Sequence, residues 1–362
     1  MKRRQFLTGG AATVTGSGVA APAVAQGEPV LKWRLTSSFP KSRDPVFNTA
    51  QLFCRLVNDA TDGKFQIQPF AAGEIAPGRQ ALDAVQSGSV DCAHTPLYIY
   101  TAKEPTLAFG TGIPFGLNQR HQQSWWMFGG GAEIVNEALK KFGVLALPCG
   151  NSGTQMGGWF RREVNTLADL QGLKFRIGSF GGQVLARLGV VPQQIAPGDI
   201  YAAFERGTID AAEFVGPYDD EKLGLAKLAA YYYYPGWWEG SAMLHLVVNE
   251  EKWNALPKHY QAVVAQACEA ANTWLLAKYD AVNAPALRRL VAAGVVLKPF
   301  PPVVMEASYK AALDLYGEIA ARNALFKKAL DSMNAFRGDQ LAWWQIAEYA
   351  FDGFMIGRRG KG

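Results

Sequence analysis

The sequence predicts an α/β protein built as two similar α/β lobes with a ligand cleft between them, followed by long C-terminal helices. Three observations predict it: an internal echo of one strand–helix–glycine–strand unit, alternation of strand-like and helix-like apolar patterns, and a last segment that is apolar nearly all round. A length of 362 residues, with 49% hydrophobic and 19% charged residues, suits two globular domains and excludes a disordered chain.

In chain order, the start reads as an export signal. Lys2, Arg3 and Arg4 form a basic region, a short Gly-diluted apolar stretch follows, and Ala23-Val24-Ala25 supplies a cleavage site before Gln26. Arg3-Arg4-Gln5-Phe6-Leu7 is of twin-arginine type; a general secretion signal carrying two arginines is the alternative. Without residues 1–25 the formal net charge falls from +5 to +2, so the basic balance implies neither a nucleic-acid nor a membrane-surface partner. Cys54, Cys92, Cys149 and Cys268 are widely spaced with no C-x-x-C, which argues against zinc or redox chemistry and favours buried free thiols over a disulfide.

The chain then opens with a strand over Leu31 to Leu35 and a turn at Ser37-Ser38-Phe39-Pro40. A helix carries Val46, Phe47, Ala50, Phe53, Cys54 and Val57 on one face, and a strand begins at Phe65. The echo is G-[ST]-[VI]-D-x-A-x, at Gly88 to His94 and again at Gly207 to Glu213, each after an amphipathic helical stretch. A second echo sets Gly63 to Ile67 against Gly172 to Ile177. Because ligands of open parallel sheets bind at the carboxyl ends of strands, His94-Thr95 and Glu213-Phe214 are expected to face each other across the cleft. The expected division is a signal over 1–25, a first lobe over 26–150 with a return segment about 249–300, a second lobe over 151–248, and a C-terminal helical segment over 301–362. The run from Leu341 to Phe351 needs burial on more than one side, either under both lobes or in a second subunit.

Chemistry-bearing motifs are few: no H-E-x-x-H, G-x-S-x-G or phosphate loop is present. Arg176 lies within an otherwise apolar strand. Its guanidinium cannot neutralise by losing a proton, so it needs an anion, either a carboxylate ligand or an acid of the fold. Glu213 ends an apolar strand and Glu239 follows the aromatic run Tyr231 to Trp238. Two acids facing an anionic ligand would repel it unless a hard cation lay between them, and Gln155 is placed to add a neutral oxygen.

These stretches resemble the extracytoplasmic solute receptors of TRAP (tripartite ATP-independent periplasmic) transporters, the DctP-type family of periplasmic-binding-protein architecture, closest to its α-keto acid-binding branch. The resemblance runs through Trp33 to Pro40, Pro114-Phe115-Gly116, Trp125-Trp126, Gly172 to Gly182, Gly198 to Tyr201, Ala212 to Asp220 and Tyr231 to Gly240, with Asn249, Trp253 and Leu256 beyond. It implies that Arg176 holds the ligand carboxylate, that Glu213, the Phe214 carbonyl and Gln155 hold Na+ or Ca2+, and that Gln155, Phe214 and Glu239 also border the ligand. Phe214 stands where that branch is expected to carry tryptophan, which puts the pocket shape in doubt. The resemblance further implies a periplasmic, non-enzymatic receptor for a pyruvate-like 2-oxo or lactate-like 2-hydroxy carboxylate. Membrane subunits would be its partners, and it would form a homodimer through exchanged C-terminal helices. The competing reading is a periplasmic metal-assisted enzyme acting on small organic acids.

Overall fold

The structure, a computed structural model, describes residues 29–195 and 197–359; the signal expected over 1–25 lies outside them. Along the first lobe run β1 (Leu31–Ser37), α1 (Asp44–Ala60), β2 (Phe65–Phe70), α2 (Ala81–Gln86), β3 (Cys92–Thr95), α3 (Ala108–Thr111), α4 (Gln119–Phe128), α5 (Gly131–Leu139) and β4 (Val144–Asn151). The second contains β5 (Gly158–Phe160), β6 (Lys174–Arg176), α6 (Ser179–Ala186), β7 (Val191–Gln193), α7 (Ile200–Glu205), β8 (Ala211–Ala212), α8 (Pro217–Leu223) and β9 (Tyr231–Tyr234). After these come β10 (Met243–Asn249), α9 (Glu250–Asn254), α10 (Lys258–Ala292), β11 (Val296–Pro299), α11 (Pro302–Ala320), α12 (Ala324–Ile346) and α13 (Glu348–Arg358).

The two sheets follow one plan. The first has the order β2-β1-β3-β10-β4 and the second β11-β9-β5-β8-β6-β7. In each, the opening strand (β1 or β6) pairs in parallel with two neighbours, and a fourth strand joins antiparallel. That antiparallel strand is borrowed: β10 leaves the second lobe to complete the first sheet, and β5 leaves the first to enter the second. The return to the first lobe therefore begins at Met243, earlier than the expected boundary at 248. The return segment also gives β11 to the second sheet, where Val296 to Pro299 pair with Tyr231 to Tyr234.

The G-[ST]-[VI]-D echo has a structural meaning. Gly88 and Gly207 both adopt φ +72°, the left-handed geometry that ends a helix without a Cβ penalty. The carboxylates of Asp91 and Asp210 then accept from the backbone N–H of Arg34 (2.7 Å) and Lys174 (3.0 Å), pinning each new strand to the opening strand of its sheet. The second echo pairs unlike positions. β6 is the counterpart of β1, whereas Phe65-Gln66-Ile67 belongs to the outer strand β2. A glycine turn followed by alternating apolar residues is what any strand entry needs, so it carries no register.

α10 ties the lobes together: Tyr260, Val264, Cys268 and Ala271 lie in the first-lobe core, and Leu275, Tyr279 and Leu290 in that of the second. All four cysteines are free and buried in that first-lobe core. α11 and α12, the latter through Phe326, share a third core with residues of both lobes, including Leu107, Val135, Phe160 and Phe175. The stretch from Leu341 to Phe351 meets the first lobe along one side only, where Trp344 packs edge-on against His121 and Glu348 pairs with Arg120, and it leaves Trp343 58%, Ile346 74% and Phe351 65% exposed. The alternative of a helix lying under both lobes is thereby removed. Among the described residues no helix is long and apolar enough to cross a membrane.

Candidate functional site

The site grows from one parallel register. Arg176 ends β6 opposite Ala212 of β8, and the next backbone N–H, that of Glu213, donates to the Arg176 carbonyl at 3.1 Å. Arginine and acid thus leave adjacent strand ends side by side. Arg176 Nη1 donates at 2.6 Å to both the backbone carbonyl and Oε1 of Glu213, and its Nε donates to the Ile195 carbonyl at 3.3 Å. The arginine therefore has an acid of its own fold as partner, the second of the two alternatives its position left open. It also lines a cavity, so the first alternative keeps room beside it.

The chain crossing between the lobes brings the remaining groups. Gln155 N–H donates to the Glu239 carbonyl, Met156 N–H to Val215, and Gly236 N–H to the Gln155 carbonyl at 2.9 Å. This approach is so close that a Cβ on Gly236 would sit 2.6 Å from the carbonyl oxygens of Gln155 and Met156, so only glycine fits. Gln155 is buried; its Nε2 donates to Ser152 Oγ, and its Oε1 has no partner. An occluded acceptor without a donor is costly unless something binds there.

Glu213 and Glu239 both border an inner cavity of about 50 Å3, several times the roughly 10–15 Å3 that admits one water. Arg79, Tyr98, Arg176, Ser179 and Trp238 are among its other lining residues. It continues into an outer chamber of about 710 Å3 walled by Phe39, Arg43, Tyr98, Phe214, Asp219 and Lys222 among others. Burial raises the Glu239 carboxyl to about 8, with the neighbouring Glu213 charge adding to the effect and Arg176 and Arg43 opposing it. Burial also raises Glu213, against the pull of Arg176 and Arg43. An acid held near 8 is protonated at neutral pH and can donate to an anion. This lifts part of the repulsion expected between two acids and an anionic ligand.

Oxygen alone makes up the prospective cation set: the Glu213 carboxylate, the Phe214 carbonyl and the Gln155 amide. No cluster of three or more His, Cys, Asp or Glu suited to a metal occurs among the described residues. Such a set fits a hard cation with oxygen preference, Na+ or Ca2+, and not zinc. The fit rests on the unpartnered Gln155 Oε1 and on Glu213 at the cavity edge.

His94 is a correction. It was expected at the cleft, but its ring is fully buried in the first lobe, with Nε2 3.0 Å from the Cys149 carbonyl and its pKa lowered to about 4 by burial. Thr95 likewise turns inward, bonded to Ser38 and Tyr100. The first lobe instead contributes Arg43, Arg79 and Tyr98, none singled out by sequence. Arg43 had one legible signal, a cation immediately before a helix start that follows a strand end.

Two sheets of one plan, a cleft between them and an arginine–acid pair at the strand ends define a two-lobed solute-binding protein. The chain belongs to the bacterial extracellular solute-binding proteins, family 7 (DctP), which it matches over residues 36–323. It is 46% identical over 360 residues, covering 98% of this chain and 99% of the relative, to a monocarboxylate 2-oxoacid-binding periplasmic protein of Nostoc sp. PCC 7120. A TRAP transporter solute-binding protein from Bordetella bronchiseptica, a mixed-occupancy dimer with copurified calcium and picolinate, shares 47% identity and a TM-score of 0.90, over 92% of this chain and 99% of that one. Another, from Pseudoalteromonas atlantica with bound sodium and pyruvate, shares 34% identity and a TM-score of 0.85, over 88% and 98%.

Proposed function

We propose that this chain is an exported periplasmic receptor that captures a small 2-oxo carboxylate such as pyruvate, or a 2-hydroxy acid such as lactate, together with Na+ or Ca2+. It hands the acid to TRAP membrane subunits, and no bond is made or broken. The carrying observation is the Arg176–Glu213 pair at the cavity wall, which Glu239 also lines; the Gln155 backbone is bonded to that of Glu239, and its side-chain oxygen is left as a free acceptor. With ligand and cation bound, Glu213 would hold the cation and Arg176 the ligand carboxylate, so neither charge would be left bare. Pyruvate and picolinate, the acids bound by the two structural relatives, share a second donor on the atom next to the carboxylate. Both could therefore offer a hard cation two donors at once, and so could lactate. The Glu239 carboxyl reaches the ligand from the far wall.

The assembly belongs to the same proposal. The exposed apolar helices at the C-terminus pair with those of a second copy, in line with the dimer of the Bordetella relative. Export proceeds through the twin-arginine-type signal, cleaved after Ala25.

Calorimetry with pyruvate, with and without Ca2+, tests the reading. Arg176→Ala is expected to cost at least about 3 kcal/mol, a hundredfold in affinity. Glu213→Gln is expected to remove the cation dependence. Unchanged affinity in Arg176→Ala would refute the site, and conversion of the recovered acid to a product would favour the metal-assisted enzyme.

A further inference from the structure

Two consecutive residues at the start of α1, Arg43 and Asp44, reach out of the first lobe and grip one short segment of the second. Arg43 makes no side-chain cap to its helix. Its guanidinium lies 4.1 Å over the Phe214 ring and 5.4 Å from Phe39, and its buried Nε has no hydrogen-bond partner. The Asp44 carboxylate accepts from the Tyr218 hydroxyl at 2.9 Å and pairs with Lys222 Nζ, both on α8. The gripped stretch, 214–222, adjoins Glu213 and includes the Phe214 carbonyl, two of the three groups assigned to the cation.

We propose that Arg43 and Asp44 are positioning residues that clasp segment 214–222 when the cleft closes and so slow release of the bound acid. The inference rests on the reading of Glu213 and Phe214 as cation ligands. A cation drawing Glu213 and the Phe214 carbonyl together fixes the segment that Arg43 and Asp44 hold, so loading the site and closing the lobes share one piece of backbone. The contacts are of a size to be reversible. Asp44 and Lys222 keep 35% and 45% of their side chains in solvent, and an ion pair of that kind shifts an equilibrium by several-fold, not by orders of magnitude. Asp44 also lies in the first turn of α1, where an acid favours the helix for its own sake. Lys222, on the other lobe, separates the two roles.

Stopped-flow release of pyruvate from the Ca2+-loaded full mature chain, followed by the tryptophan fluorescence to which Trp238 at the cavity contributes, tests the clasp. Asp44→Asn and Lys222→Met are each expected to raise the release rate about fivefold, with association within about twofold. The double variant is expected to match either single one, and the difference from the parent chain to fade in about 1 M salt. Arg43→Gln is expected to speed release as well. Unchanged release rates, or additive effects that survive high salt, would overturn the clasp and leave Asp44 a helix-start acid. A ligand-free arm bridges Asp44→Cys to Lys222→Cys with a short bismaleimide, the native cysteines all being buried. The bridged protein is expected to be more compact by X-ray scattering than the unbridged one, and equal dimensions would mark the contact as permanent and end the proposal. Failure of the parent chain to bind pyruvate would strike the functional reading alone, and scattering would then decide the clasp.

Discussion

Glu239 shows how burial changes the pH at which one carboxyl gives up its proton. A carboxyl raised to about 8 holds its proton in the folded state while the unfolded chain has lost it above about pH 4.5. Across that window the folded state binds more protons, so stability falls as pH rises. Asp220, raised to about 7 by burial despite three hydrogen-bond donors, acts in the same direction. His94 and His245, lowered by burial to about 4 and 3, act in the opposite sense but only below pH 6.5. Between pH 6.5 and 8 the metal-free protein is therefore expected to lose about 1–2 kcal/mol from Glu239, and Glu239→Gln to flatten the slope; thermal melting at three pH values checks this. At this scale the sequence pointed to Arg176, because a charge inside an apolar strand must be answered, and Glu213 at the neighbouring strand end answers it. It misled at His94, since a strand end in one lobe can face the core where its counterpart in the other faces the cleft. Which side chains the first lobe sends into the cleft depends on turns after β1, β2 and β3 that carry no periodic signal.

Among the elements, the C-terminal helices carry the sharpest expectation. Trp343, Ile346, Phe351, Phe354 and Ile356 are each at least 58% exposed, an apolar surface of the kind that marks an interface. Ile346→Asp with Phe351→Asp is expected to cost the dimer at least about 3 kcal/mol, over a hundredfold in its dissociation constant. Light scattering should then report a monomer, while pyruvate affinity stays within about twofold because neither residue approaches the cavity. The helix carrying Val46 to Val57 on one face, the Gly88 and Gly207 turns and the helical tail were legible and stand where the pattern puts them. Matching the strand at Phe65 to that at Lys174 was not, because β2 and β6 share a turn chemistry but not a place in the sheet.

At the scale of the molecule, the lobes are not independent domains. α10 enters both cores, and the core beneath α11 and α12 includes Val135 of the first lobe and Phe175 of the second. Calorimetry of the mature chain is expected to show one transition with equal van't Hoff and calorimetric enthalpies, moved upward as a whole by pyruvate with Ca2+; two separated transitions would contradict the shared core. Two lobes were readable from the echo, but the exchange of β5 and β10 was not, since a strand's sequence records which faces it buries and not which sheet it joins. That exchange sets a timetable for synthesis. A nascent chain that ends anywhere before Met243 holds a first sheet whose β3 edge lacks its neighbour, so the amino-terminal third cannot mature while the ribosome is still making the middle. Biogenesis must keep that open edge from pairing with other chains until about two-thirds of the polypeptide has emerged, and a chaperone that shields β3 during translation would meet the need.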